Sequence, residues 1–324
     1  MKKWDPSAHL ERLREPLEHL EGIRQEVLTK ASKGQRLMIF WVLGSLLLGF
    51  GLTAASGEGF MMVFGVVAAV IAALIIYQNY IGSGYQRYQL MFKAGCIEPL
   101  VKSVEPGMNY EPAKGISEQL FRTVGLFSSP DRYSCEDLFH GTIGKTDIMF
   151  SEVHAEEKHT SRDSNGNTKT TWSTIFQGIF LIADFHKDFR SPVSVMPDFA
   201  EKSFGWFGRK LQKIGGGLQR MENPDFEKFF VVRGNDPVEA RYILTPSMQD
   251  CLVDLRKRVG DGVCIGFRDS KVTLAIPENA NWFEGNVKTP AFDRQQIEQL
   301  LAQFWSCFRI VEDLDLNTRI WTKD

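Results

Sequence analysis

The chain of 324 residues lacks each short motif that would announce a common chemistry. It has no G-x-S-x-G elbow, no P-loop, no G-x-G-x-x-G and no H-E-x-x-H. A hydrolase serine, a phosphate cradle, a dinucleotide fingerprint and a zincin helix are thereby left without a sequence basis. The glycine run Gly215–Gly217 follows "GRKLQKI" without the G-K-[ST] of a phosphate loop, and reads as a flexible link. Cysteine is sparse: Cys96, Cys135, Cys251, Cys264 and Cys307 form no C-x-x-C pair and are odd in number. They read as small apolar fillers in a reducing compartment rather than a disulfide framework. An excess of positive charge is also missing. Lysine and arginine number 38 against 40 acidic residues, a net charge of −2 that argues against a globally basic nucleic-acid binder. No nucleic-acid partner and no cofactor is expected.

What the chain does have is long apolar runs. Leu37–Ala55 and Phe60–Tyr77 are free of charge and apolar on all sides. At about 1.5 Å per residue each helix would span roughly 27–29 Å, close to a hydrocarbon core of about 30 Å. Gly44, Gly49, Gly51, Gly65, Ala68 and Ala69 would let two such helices approach closely in lipid. A soluble core hairpin would need the remaining chain to wrap both runs on every side. A cleaved signal peptide is disfavoured by the length of the first run, the 36 residues before it and the second run straight after it. Arg24, Lys30, Lys33 and Arg36 precede the first run, and Arg87 and Lys93 follow the second, whereas the joint Ser56–Gly59 carries only Glu58. The positive-inside tendency then places both termini in the cytoplasm and the joint outside. Phe40 and Trp41, with Tyr77, Tyr80 and Tyr85, fit an aromatic belt on the inner side.

Ahead of the first run, Leu10, Leu13, Leu17, Leu20, Ile23, Val27 and Leu28 recur at three- and four-residue steps, the mark of an amphipathic helix broken or restarted at Pro16. Residues 10–28 could pair with a second copy as a short coiled coil. Because Pro16 interrupts the heptads, packing on the chain's own C-terminal domain is the favoured reading. The expected organisation is an amphipathic N-terminal cytoplasmic helix (1–36), a transmembrane hairpin (37–80, spans 37–55 and 60–77), a helical neck and connector (81–116) and a cytoplasmic domain (117–324).

In that domain a short helix is expected over Ser117–Phe127. Thr142–His159 and Thr168–Phe185 are β-rich, with a hairpin signal at Asn165-Gly166 between them. "SPVSVMPDF" and "FEKFFVVRG" add short strands. Thr245 and Pro246 open a helix that ends before Gly260, and "GVCIGFRDSKVTLAIP" reads as a hairpin around Asp269-Ser270. A last helix from about Asp293 carries Ile297, Leu300, Leu301, Phe304, Phe308 and Val311 on one face. Hairpin strands with helices afterwards imply an α+β fold with a mainly antiparallel sheet and a C-terminal helix. The stretches "CEDLFHGTIGKTDIMFSEVHAEEK", "IFQGIFLIADFHKDF", "ENPDFEKFFVVRGNDPVEARYILTP" and "FDRQQIEQLLAQFWSCFRIVEDLDLNTRIW" resemble a bacterial two-span membrane-protein family catalogued as domain of unknown function 3137. The resemblance runs from Tyr85 to Trp321 and includes the two-span hairpin before it. It implies a multi-pass protein of the bacterial inner membrane, associates it with LemA-type membrane proteins, and brings no reaction, cofactor or catalytic residue.

Candidate chemistry is thin. His154 and His159 are five residues apart, which puts them on opposite faces of a continuing strand, so no metal site is expected. Asp184, His186 and Asp188 would share a face under strict alternation, and a carboxylate beside an imidazole can tune a general base. Asp184 and His186, with Glu152 or His154, are the acid/base candidates if the chain is an enzyme acting on a membrane-linked substrate. In "KSFGWFGRKLQKIGGG", Phe204, Trp206, Phe207, Leu211 and Ile214 interleave with Lys202, Arg209, Lys210 and Lys213. Trp206, Phe207, Arg209, Lys210 and Lys213 are therefore candidates for contact with anionic lipid or a partner. The leading expectation is a membrane-anchored binding or scaffold domain.

Overall fold

In the computed structural model, which describes residues 11, 13–57, 59–162, 166–198, 216–279, 281–314 and 316, two long helices come first. Helix α1 (Arg14–Ser56) has 43 residues. Helix α2 (Phe60–Val104) has 45 and contains two π-helical stretches, Tyr77–Gly82 and Lys93–Ile97. Each is about 65 Å long, roughly twice the thickness of a hydrocarbon core. The amphipathic stretch and the first apolar run are thus one helix, and the neck is continuous with the second run. The restart expected at Pro16 falls two residues earlier: Glu11 is helical, Leu13 is a turn residue and α1 begins at Arg14, which leaves Pro16 in its first turn. There the missing N–H is an orphan in any case and the ring has little helix to clash with. Gly57 (φ 73°) ends α1, its N–H donating to the Thr53 carbonyl at 2.9 Å.

Along the apolar runs the side chains face outward: Phe40 is 70% exposed and Leu47 71%. The two helices meet through glycine, since a Cβ on Gly65 would stand 2.8 Å from the Ser45 carbonyl oxygen and 2.9 Å from Gly49 Cα. Both helices are long and apolar enough to cross a membrane.

The chain divides into two compact units, residues 1–100 with 284–299, and 101–283 with 300–324. The second unit holds a nine-stranded antiparallel sheet in the order β1-β2-β3-β4-β9-β8-β5-β7-β6. Its strands are β1 (Met108–Glu111), β2 (Arg132–Ile143), β3 (Thr146–Arg162), β4 (Thr168–Asp184), β5 (Val193–Pro197), β6 (Gly217–Gln219), β7 (Phe230–Gly234), β8 (Cys264–Arg268) and β9 (Lys271–Pro277). The helices are α3 (Glu118–Val124), α4 (Pro224–Glu227), α5 (Pro237–Ile243), α6 (Pro246–Val259) and α7 (Arg294–Asp313).

Local chemistry explains most of these limits. Ser117 caps α3, and Thr245 caps α6 with Pro246 at its first position. Asp269 (φ 50°) and Ser270 (φ 55°) make the tight turn between β8 and β9. Thr142–His159 is two strands rather than one, because Gly144 (φ 65°) and Lys145 turn the chain between β2 and β3.

Both faces of the sheet are covered. On one, Phe139 and Phe150 stack at 4.6 Å, and Phe283, Phe304 and Phe308 close over them. On the other, Phe121 of α3 packs with Phe127, Phe176 and Phe180. The predicted stripe of α7, Ile297 to Val311, is buried.

Candidate functional site

In the first unit, the loop Glu284–Ala291 straps the polar part of the helical pair. Lys93 Nζ lies 2.9 Å from Glu284 Oε1. Gln89 donates to the Gly285 carbonyl at 2.7 Å and accepts from its N–H at 2.9 Å. Gly285 is needed for this approach, because a Cβ there would meet the Phe92 ring at 2.5 Å. From α1, Glu21 Oε2 accepts the Ala291 N–H at 2.9 Å, and Arg24 donates to the Val287 carbonyl at 3.1 Å. Glu21 and Arg24 also bind each other at 2.6 and 2.8 Å. The Arg24 guanidinium accordingly holds the Glu21 carboxyl down at about 2, although partial burial works against it. Beneath the strap, burial pushes the Cys96 thiol and the Tyr88 hydroxyl each up to about 12. The Leu13–Val27 stripe faces this same unit: Leu20 packs toward Gly95 and Val27 toward Gly84. Self-association through residues 10–28 would have to displace those contacts.

In the second unit, a cavity of about 440 Å³ opens on the face of β2, β3 and β4 that also carries Phe139 and Phe150. Two irregularities shape it. β2 bulges between Glu136 and Phe139, where Asp137 takes φ 58° and accepts a hydrogen bond from the Tyr110 hydroxyl. β4 carries Gly178 at φ 144°, where a Cβ would collide with the Ile276 carbonyl oxygen at 2.2 Å. Glu136 and Glu152 are direct cross-strand neighbours in the lining, and His154 lies beside them opposite Gln177. Its size is that of a small-ligand pocket. Cys135 pairs with Val153 and turns its side chain to the Phe121 face instead, where burial raises the thiol above the ordinary range and leaves that sulfur a poor nucleophile.

The acid/base candidates do not converge. Asp184 and His186 do meet, Oδ2 to Nδ1 at 3.0 Å, and His186 Nε2 stands 3.4 Å from Thr146 Oγ1. The order aspartate–imidazole–hydroxyl is that of a nucleophile relay. Yet Thr146 is fully buried and donates its proton to the Leu316 carbonyl at 3.0 Å, so the hydroxyl meets no substrate. Asp188 is not on the same face. The strand ends at Asp184 and the chain bends, leaving Asp188 to accept from Ser270 at 3.0 Å. Glu152 and His154 lie about six residues away along the β3–β4 ladder, roughly 20 Å at a strand's rise. His154 contacts Thr174 at 3.5 Å and His159 contacts Ser173 at 2.6 Å, so the two histidines point to separate partners. Trp206, Phe207, Arg209, Lys210 and Lys213 lie outside the described residues.

Residues 174–316 match the family described as Protein of unknown function (DUF3137). The chain carries a DUF3137 region. That region begins inside β4, so it supplies the Gln177–Ile179 wall of the cavity but not Glu136, Glu152 or His154. It is narrower than the Tyr85–Trp321 resemblance. No curated protein matches the chain. Among solved structures, the chain is similar to the mycobacterial trehalose monomycolate transport factor A, TtfA, at 10% identity, over 64% of this chain and 88% of that one, with a TM-score of 0.33.

Proposed function

We propose that this chain is a membrane-anchored binding or scaffold protein, with the α1–α2 hairpin in a bacterial inner membrane and its α+β domain in the cytoplasm. The observation that carries the reading is the outward-facing apolar surface of both helices over Leu37–Ala55 and Phe60–Ile76. Water would not tolerate such a surface on a monomer, and a bilayer requires it. The basic flanks and the acidic joint support an outward Ser56–Gly59 turn with both termini inside. A binding role is supported because Asp184, His186 and Thr146 are spent on contacts with one another and with the Leu316 carbonyl, while the cavity offers a concave polar wall. Residues 202–217 supply a second contact, their aromatic and basic side chains meeting anionic lipid or a membrane-protein partner, of LemA type or another.

The test is fractionation of the full chain, followed by labelling. An alkaline carbonate wash should leave it in the membrane pellet, and a Glu58→Cys variant should react with an impermeant thiol reagent on intact cells. Release by the wash would refute the anchor, and labelling only after lysis would reverse the topology. Replacing Arg209, Lys210 and Lys213 by Glu should weaken binding to anionic vesicles; unchanged binding would remove the lipid contact.

A further inference from the structure

Strands β3 and β4 continue past the rest of the sheet as a two-stranded ribbon. β2 pairs with β3 no further than Glu156, and β9 pairs with β4 no further than Gly178, while the β3–β4 ladder runs on to Arg162 and Thr168. The described residues Lys158–Arg162 and Gly166–Trp172 are all exposed. A ribbon with no core behind it is marginal by itself. Its outer margins present backbone N–H and C=O groups that can template another strand.

The two margins are not equivalent. On β3 the Lys158 N–H is already taken by Asp131 Oδ2 at 2.7 Å. On β4 the margin Thr168–Trp172 reads TKTTW, β-branched and aromatic apart from Lys169, with no proline to block pairing. Among the described residues no third strand pairs with it.

Charge selects the occupant. Lys169 sits on β4 itself, and Lys158 and Arg162 stand across from Trp172 and Thr168 on β3. Lys158 and Arg162 share the Trp172 face, and Lys169 belongs to the other. At the root, Arg132 lies 3.8 Å over the Trp172 ring and binds Glu156 at 2.9 Å, which occupies that carboxylate. Beyond Glu156 the sequence to Trp172 has Lys158, Arg162 and Lys169 against Glu157 and Asp163, a local excess of one positive charge in a chain of net charge −2. Cations on opposite faces do not form the single basic plane that a bilayer surface takes. Three of them are few for the phosphate backbone of a nucleic acid. They do suit an added strand, whose side chains alternate above and below the ribbon.

We propose that the Thr168–Trp172 margin captures an extended acidic segment of a partner protein by strand addition. Main-chain hydrogen bonds hold the segment, and Lys158, Arg162 and Lys169 select its sign. This rests on the reading of the chain as a binding protein and names the kind of partner.

The experiment uses the full chain in neutral-lipid nanodiscs and fluorescent peptides of about ten residues, read by anisotropy. A peptide alternating Thr and Glu should bind. The Thr/Lys counterpart should not, nor should a Thr/Glu peptide N-methylated at consecutive residues through its centre, which leaves neither edge able to complete a ladder. The Lys158→Glu, Lys169→Glu double variant, shown to be folded by its circular dichroism, should bind the acidic peptide about tenfold or more weakly. Equal binding of the Lys peptide, binding of the N-methylated peptide, or an unaffected double variant would overturn the proposal. So would failure of the acidic peptide when anionic vesicles or an oligonucleotide bind instead through the same lysines. If every peptide fails while the chain remains carbonate-resistant in membranes, the capture surface falls and the anchoring reading stands.

Discussion

Lys93 Nζ lies 2.9 Å from Glu284 Oε1 with the lysine side chain only 5% exposed, so a cation buried on α2 is matched by a carboxylate from a loop near the other end of the sequence. Breaking a buried pair leaves the surviving charge poorly solvated. Lys93→Met should therefore cost about 3 kcal/mol, read as a lower thermal midpoint of the full chain in detergent. A double variant Lys93→Met, Glu284→Met should recover part of that loss. An unchanged midpoint in the single variant would remove the pair from the stability of the strap.

The Glu21 carboxyl gives the strap a defined acid response. Its folded value of about 2 lies below the ordinary carboxylate range, so the ionised form stabilises the folded state. That contribution is complete above about pH 4.5, shrinks as pH falls, and is gone near pH 2. Glu21→Gln should destabilise by about 2 kcal/mol at pH 7, and the gap to the parent chain should close across that acid window. A gap that stays constant down to pH 2 would show that Glu21 acts through packing rather than charge.

Replacement of Gly178 is sharply constrained as well. With φ 144° and the Ile276 carbonyl oxygen 2.2 Å from a built Cβ, Gly178→Ala has to push β4 and β9 apart. A loss of about 2–3 kcal/mol is expected, and the cavity wall should shift with it. Gly166→Ala, at φ 84° but with only the Arg162 side chain nearby, should cost distinctly less. Equal effects at the two sites would contradict the steric account.

The Asp184–His186–Thr146 line is expected to behave as a structural link. Thr146→Val removes a buried donor from the Leu316 carbonyl and should lower stability by about 1–2 kcal/mol. His186→Gln should do less, since its side chain keeps some solvent. Abolition of a cellular phenotype by His186→Gln in a chain of unchanged thermal midpoint would instead restore the acid/base reading.

The sequence was most legible where one local rule decided the outcome. Residue identities alone placed the Thr245-Pro246 start of α6, the Asp269-Ser270 turn and the buried stripe of α7, because capping, positive φ and a 3.6-residue period are written in neighbouring residues. β2 was overlooked: Cys135, Glu136 and Asp137 break its alternation where the strand bulges. The alternation assumed for Asp184, His186 and Asp188 failed for a related reason, as the strand ends after the first of them. The strap was illegible in principle. Gly285, Val287 and Ala291 have no period, and their seats on Gln89, Arg24 and Glu21 lie far away along the chain. The cavity needed three strands in register before its lining could be read.

The strap also sets an order of events. Residues 284–299 belong to the same compact unit as the two helices, yet they are made after all of the described sheet strands. The helical pair is made early, but it waits for nearly the whole chain before Lys93 meets Glu284 and Arg24 meets the Val287 carbonyl. Such a contact closes a very long loop, which is slow to form. A nascent chain halted before Glu284 would therefore hold Lys93 without its Glu284 partner, and the strap over the helical pair would be missing.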